Sequence, residues 1–224
     1  MKIFDDRKNG SQMLIEKMAG MGLKFTEPLV LGIPRGGVAV GYYIAKSLQC
    51  PLDAISARKL PAPGNPEFGF GGVTLEKISY VNQQLASELG LSEDDIHLAE
   101  AEAHKEVLRR DEVYRKSAAF PRLAGRTIVL ADDGLATGYT MLAALEFVLK
   151  QKPLAVIAVS PVAHESALKL IKRRATTVIA AHVDNAPRFS ISSFYREFSQ
   201  LSDEDVLNYL EKGRHNAALL SQKL

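Results

Sequence analysis

The sequence predicts an α/β fold: a mostly parallel central sheet flanked by helices. Three observations carry that prediction. Short apolar runs at 29–33, 128–131, 154–159 and 177–182 have the length of buried strands. Longer amphipathic stretches at 38–48, 141–149 and 164–174 alternate with them, the pattern of strands joined by crossover helices. Glycine-bearing turns at 34–37 and 134–138 stand between strand and helix. With 224 residues the chain is long enough for one core. We therefore expect a single domain over 1–224, with a core at about 28–182 and a distinct appendage at about 183–224.

Bulk properties narrow the function classes. Hydrophobic content of 46% and charged content of 24% are those of an ordinary globular chain. A net charge of +2 gives no electrostatic argument for nucleic acid or for a membrane surface. The single cysteine, Cys50, excludes an internal disulfide and a cysteine-rich zinc site. No apolar run approaches the length of a membrane span. The opening MKIFDDRKNG carries carboxylates and lacks the apolar centre of a signal peptide. A cytoplasmic protein is the expectation.

Taken in order, the chain begins with an amphipathic helix at about 10–21. Met13, Leu14, Met18 and Met21 form its apolar positions, and Asn9-Gly10 and Gly22 bracket it. The strand at 29–33 ends in Pro34-Arg35-Gly36-Gly37, which leads into the helix at 38–48. The two glycines allow a backbone to approach a ligand, and Arg35 adds a permanently charged planar donor. A strand at 52–57 ends in Arg58-Lys59. Residues 60–73 are rich in proline and glycine and read as a loop. Gly69-x-Gly71-Gly72 is not a dinucleotide fingerprint, because Thr74 stands in the last glycine position. A strand follows at 77–81, antiparallel to a neighbour across that loop. Ser92 and Asp95 resemble a capping box opening a helix over about 93–116. His97 and His104 in that helix are seven apart, without a third ligand, and read as exposed rather than metal-binding.

The stretch TIVLADDGLATGYT, residues 127–140, carries the most chemistry. A buried strand runs straight into two adjacent carboxylates, Asp132 and Asp133. Gly134, Leu135, Ala136, Thr137, Gly138, Tyr139 and Thr140 then turn the chain into a helix. Such a turn gathers backbone N–H groups at the positive end of a helix dipole, a site suited to phosphate. Thr137 and Thr140 add hydroxyl donors, and the two aspartates can accept from sugar hydroxyls. Together these groups suit a ribose 5-phosphate. Both glycine turns and Arg58-Lys59 leave strands at the carboxyl edge of the expected sheet, where α/β folds place their sites.

Asp-Asp-x-x-Ala-Thr-Gly-x-Thr after an apolar strand resembles the phosphoribosyl pyrophosphate (PRPP) motif of type I phosphoribosyltransferases. GIPRGGVAVGYYIAKSL is similar to the pyrophosphate-binding loop and following helix of the xanthine-guanine members, where that loop often contains a cis or strained non-proline peptide. The resemblance covers about 28–182 and implies the type I phosphoribosyltransferase fold with a small hood. The whole-chain arrangement also resembles phosphoribosyltransferases whose acceptor has not been defined. Two residues depart from the motif: Gly134, where a larger apolar residue is usual, and Tyr139, where a small one is common.

The resemblance implies transfer of the 5-phosphoribosyl group of PRPP to a nitrogenous base, with Mg²⁺ as cofactor and loss of pyrophosphate. By resemblance, Asp132 and Asp133 grip the ribose hydroxyls directly or through metal-bound water. The N–H groups of 135–140 and the two threonine hydroxyls hold the 5-phosphate. Arg35, Gly36 and Gly37 meet the pyrophosphate, and Arg35 and Lys59 draw charge onto it as it leaves. Arg58-Lys59 resembles the start of the flexible catalytic loop of adenine phosphoribosyltransferases, with 60–73 as a lid. Phe189, Phe194, Tyr195 and Phe198 in the tail are either hood residues that stack on the acceptor or core aromatics, and a last helix runs over 202–212. The implied partners are PRPP and an unknown base, with neither nucleic acid nor membrane, and a homodimer is left open. A non-catalytic PRPP- or nucleotide-sensing regulator on the same fold is the alternative. The absence of Gly-x-x-x-x-Gly-Lys-Ser/Thr disfavours a P-loop enzyme.

Overall fold

A computed structural model describes residues 2–62, 65–116 and 118–221. Numbered along the chain, β1 (Leu29–Gly32), β2 (Leu52–Ala54), β6 (Thr127–Ala131), β7 (Ala155–His164) and β8 (Thr177–Asp184) form the central sheet. Their order is β2-β1-β6-β7-β8, and every neighbouring pair is parallel. The expected α/β fold is therefore present.

Both faces of this sheet are covered, which is why its strands are continuously apolar. Leu29, Leu31, Ile128 and Leu130 face α5 (Tyr139–Lys150) and α6 (Glu165–Ile171). Val30, Val129 and Ala131 face α1 (Arg7–Ala19), α2 (Gly36–Leu48) and α7 (Asp203–Ser221). Each leucine or valine so buried contributes about 1.5–3 kcal/mol against exposure. The last helix extends past the expected 212, with Val206 and Leu210 buried against α2 and β2. No helix among the described residues is long and apolar enough to cross a membrane.

The stretch expected to be a loop is instead sheet. β3 (Ala57–Ala62), β4 (Asn65–Thr74) and β5 (Ser79–Val81) form a three-stranded antiparallel sheet in sequence order. Positions 63 and 64 of the expected loop lie outside the described residues. The glycines that suggested a loop serve close packing. A Cβ on Gly69 would overlap the Lys59 side chain, and one on Gly71 the Tyr80 carbonyl. On Gly72 a Cβ would lie 2.6 Å from the Tyr139 carbonyl oxygen, where α5 crosses the sheet. The strand expected over 52–57 is also two strands in two sheets, joined at Ile55 and Ser56. A 3-10 turn at Leu75–Lys77 delays β5 to Ser79.

Among the helices, α1 starts at Arg7 because the Asp6 side chain accepts from the Asn9 N–H at 2.7 Å. Gly10 lies inside this helix, not before it, and a Cβ there would come within 3.0 Å of Pro161. Gly10, Ser11, Leu14 and Met18 form the buried face, whereas Met13 and Met21 are exposed. After α3 (Gln83–Glu88), α4 (Glu93–Arg115) opens with the expected capping box. The Ser92 N–H donates to the Asp95 carboxylate at 2.9 Å, and the Asp95 N–H donates to Ser92 Oγ at 3.2 Å. His97 is exposed, but His104 is buried and its Nε2 accepts from the Lys77 N–H at 3.3 Å. Burial, then the Lys77 charge, pushes the His104 pKa down, which favours the neutral ring that can accept here.

Candidate active site

Strands β1 and β6 lie side by side with Gly32 opposite Ala131, so the loops that follow them emerge together. The first loop contains a cis peptide between Pro34 and Arg35. A Cβ on Gly36 would overlap the Asp133 carboxylate, and one on Gly37 would sit 2.8 Å from the Asp132 Cα. These glycines let the two loops press against each other. Arg35 is half-buried at the start of α2.

In the second loop the Asp132 N–H donates to Val159 O at 3.1 Å, and the Asp133 N–H donates to Asp132 Oδ1 at 2.8 Å. Positive φ falls on Gly138 (+79°), where no side chain resists it. The unusual Tyr139 is thus the first helical residue. Gly138 O accepts from the Leu142 N–H at 2.9 Å and starts α5. The N–H groups of Tyr139, Thr140 and Met141 come before any i−4 acceptor and remain the donors of this helix end.

Two expected contacts need correction. The Leu135 N–H donates to Val162 O at 2.9 Å, and Leu135 O accepts from the His164 N–H at 2.8 Å, an isolated bridge to the extension of β7. That amide is committed to the sheet rather than to a phosphate, and the leucine side chain is buried. The Tyr139 side chain also turns inward: its hydroxyl accepts from Asn82 Nδ2 at 2.7 Å, and its ring stacks on Tyr80 at 5.7 Å. Only the backbone of Tyr139 can serve a ligand in the cleft.

The acidic pair sits in a protein environment that strains its charge. Burial, then the neighbouring Asp133 charge, raises the Asp132 carboxyl well above the usual range. Asp133 Oδ2 is 2.7 Å from Arg7 Nε, and both side chains are under 15% exposed. Arg7 lies 126 residues away in sequence. It also donates to Ser199 O at 2.9 Å, and its guanidinium lies 3.9 Å from the Phe198 ring centre. The Tyr195 hydroxyl donates to Asp133 O at 2.7 Å. Arg7 is the functional candidate that the sequence did not reveal, since no local pattern marks a contact between residues so far apart in the chain.

The second loop opens into a cleft of about 290 Å³, lined by Lys59, Gly69, Asp132, Asp133, loop residues 134–138, Thr140, Met141 and Ile191. Gly36 and Gly37 pack against the acidic pair, and neither they nor Arg35 are among its lining residues. Gly134 is explained here, because a Cβ would overlap the Ile191 side chain. The bulk missing from the loop is supplied by the tail. Of the basic pair, only Lys59 lines this cleft. Arg58 points the other way, 3.7 Å from Glu106 of α4, as adjacent strand residues must. In the tail, Phe194 and Tyr195 are buried with Phe4 and Val162, so these two are core aromatics. The N–H groups of Ile3 and Phe4 both donate to Phe194 O at 2.9 Å, tying the start of the chain to the tail beside the site.

A family model described as the phosphoribosyl transferase domain matches residues 6–189. Over 218 residues, 97% of the chain, the sequence is 32% identical to proteins of two Mycobacterium tuberculosis strains, CDC 1551 / Oshkosh and H37Rv, each provisionally named a phosphoribosyl transferase. The chain spans about half the length of these curated relatives, 48%. Among solved structures, TT1426 from Thermus thermophilus is similar with a TM-score of 0.75 and 34% identity, over 95% of this chain and 99% of that one. The family match takes in the central sheet, both glycine turns and the acidic pair, and the chain belongs to the phosphoribosyl transferase family.

Proposed function

We propose that the protein is a cytoplasmic, Mg²⁺-dependent phosphoribosyltransferase. It moves the 5-phosphoribosyl group of PRPP to a nitrogenous acceptor, a nucleobase by expectation, and releases pyrophosphate. One observation carries this reading: Asp132 and Asp133 share a cleft with Thr137, Thr140 and the amino end of α5. A phosphate at the helix end leaves its ribose over the two carboxyl groups, where the hydroxyls find acceptors.

Displacement at C1 lets positive charge grow on the ribose ring, as in glycoside cleavage. No protein nucleophile is required, so the residues position the substrate and stabilise charge. Asp132 and Asp133 hold the sugar and face the developing cation. Lys59, on the β3 wall, draws charge onto the departing pyrophosphate. Arg35, Gly36 and Gly37 serve the pyrophosphate by family resemblance.

No group of three or more His, Cys, Asp or Glu side chains suited to a metal exists among the described residues. A pair of carboxyl groups, one of them tied to Arg7, fits an ion held chiefly by substrate oxygens and water, as Mg²⁺ usually is. Asp132 and Asp133 would hold it, directly or through water. When bound, Mg²⁺ would neutralise charge on the pyrophosphate.

The test is a pyrophosphate-release screen with PRPP, Mg²⁺ and a panel of purines, pyrimidines and other amines, run also in reverse with a nucleotide panel. Asp132→Asn with Asp133→Asn should lower turnover by roughly a thousandfold or more while the circular dichroism spectrum is kept. Unchanged Mg²⁺-dependent PRPP binding by calorimetry in that double variant overturns the assignment. PRPP binding by the native protein without turnover of any acceptor favours a sensor instead.

A further inference from the structure

A second cavity, of about 620 Å³, adjoins the cleft and shares Ala136 and Thr137 with it. Its charge is one-sided. His164, Lys169, Arg173 and Arg188 line it, and no Asp or Glu is among its described lining residues. Lys169 is occupied in part by Glu165 at 2.9 Å, an exposed pair of small energetic weight. Arg173 and Arg188 have no salt-bridge partner among the described residues. The first cleft presents two carboxyl groups and Lys59; the described lining of the second carries one lysine and two arginines and no carboxylate, and Glu165 pairs with Lys169.

The tail links the two cavities. Ser190 is extended (φ −132°, ψ 124°), so Phe189 and Ile191 project to the same side of the chain. Ile191 covers Gly134 in the first cleft, and Phe189 lines the second, where its ring meets His164 edge-on at 5.4 Å. Two extended residues span roughly 6.5 Å, about the breadth of one heteroaromatic ring. A ring whose reacting nitrogen faces the ribose beside Gly134 would bring its far edge to Phe189. A substituent on that edge would then meet Arg173 and Arg188. His164 Nδ1 is already engaged by the Ser166 hydroxyl at 2.6 Å, which leaves Nε2 as its other polar atom.

We infer that the acceptor is an acidic planar ring, one that carries a carboxylate or phosphate, lying against Phe189 with its acid group held by Arg173 and Arg188. This rests on phosphoribosyl transfer as proposed above and names the substrate class of the same site. Guanidinium groups suit such an acid because they meet it with paired, charge-assisted hydrogen bonds.

The experiment compares matched rings that differ by one acid group: orotate against uracil, and nicotinate against nicotinamide. Pyrophosphate release is followed with PRPP and Mg²⁺, and ring binding is followed by calorimetry with and without PRPP. At least one acidic ring should outperform its neutral partner by tenfold or more in kcat/KM or in affinity. Arg173→Gln and Arg188→Gln, both at exposed positions, should each raise KM or Kd for the acidic ring roughly tenfold. KM for PRPP and any rate with the neutral partner should not move, which a general loss of structure would not reproduce. Equal use of the neutral rings, or arginine variants without effect, overturns the inference. A free nucleotide monophosphate that binds through Arg173 and Arg188 without competing with any ring would mark an effector site and overturn it as well. Failure of the native protein to bind PRPP would count against phosphoribosyl transfer itself, and the calorimetric comparison of orotate with uracil would still decide the charge preference.

Discussion

At the carboxyl edge of the parallel sheet, Gly138 takes a φ of +79° to turn β6 into α5. In the antiparallel sheet, Gly71 and Gly72 are strand residues whose missing side chains admit the carbonyls of Tyr80 and Tyr139. The same residue type serves conformation in one place and proximity in the other. The two regions also close differently. The parallel edge is closed by charge, with Arg7 on Asp133 and Tyr195 on the same residue's carbonyl. The antiparallel sheet is closed by packing of α5 and α4 against its strands. The difference teaches that a site rich in like charge needs a counter-charge from elsewhere in the chain, whereas a supporting wall needs only space.

The largest expected effect comes from removing the counter-charge. Arg7→Met leaves Asp133 unpaired beside Asp132 and should cost about 3 kcal/mol in urea denaturation at neutral pH. The sign with pH follows from Asp132. Its folded carboxyl holds a proton to higher pH than the unfolded chain does. Its contribution to stability is therefore full below the ordinary carboxylate range and is lost as pH rises through the raised value. Without the Arg7 charge that raising increases, so the cost of the variant should be greatest at neutral pH and shrink on acidification. A cost that is flat from neutral to acid pH would show that charge does not close this edge.

A smaller effect separates the two faces of β3. Lys59→Met should lower kcat/KM for PRPP by roughly a hundredfold, the scale of one charge acting at a transition state. Arg58→Met, on the opposite face at Glu106, should change it less than about twofold, as expected for an exposed pair. Equal losses in both variants would mean that the pair acts together and that the strand alternation does not sort them.

The smallest effect tests the wall. Gly72→Ala puts a Cβ 2.6 Å from the Tyr139 carbonyl oxygen and should cost about 2 kcal/mol through backbone displacement. Unlike the Arg7 cost, this one should not depend on pH. A midpoint in urea equal to that of the native protein would show that α5 and β4 can separate freely.

Much of the parallel sheet and its edge is legible in the sequence because its signals are local. Ile128 to Ala131 is apolar on both faces because helices cover both, and Asp132 to Thr140 follows as one continuous turn. The Ser92–Asp95 cap is legible for the same reason, since its partners are three residues apart. Residues 57–74 escape such a reading because glycine frequency marks turns on average, while here Gly69, Gly71 and Gly72 answer to Lys59, Tyr80 and Tyr139. His104 is buried against expectation because Lys77, in the turn before β5, folds over α4 and donates to it.

From the sequence alone came the alternation of strand and helix, the phosphate-suited turn after β6 and the pair Asp132–Asp133, since each is set by residues within a few positions of one another. Only the tertiary structure decided that Arg7 meets Asp133, that Ile191 fills the space above Gly134, and that Lys59 rather than Arg58 faces the cleft. Such contacts join residues far apart in sequence, and they are selected by packing and charge compensation across the whole fold, which no local window contains.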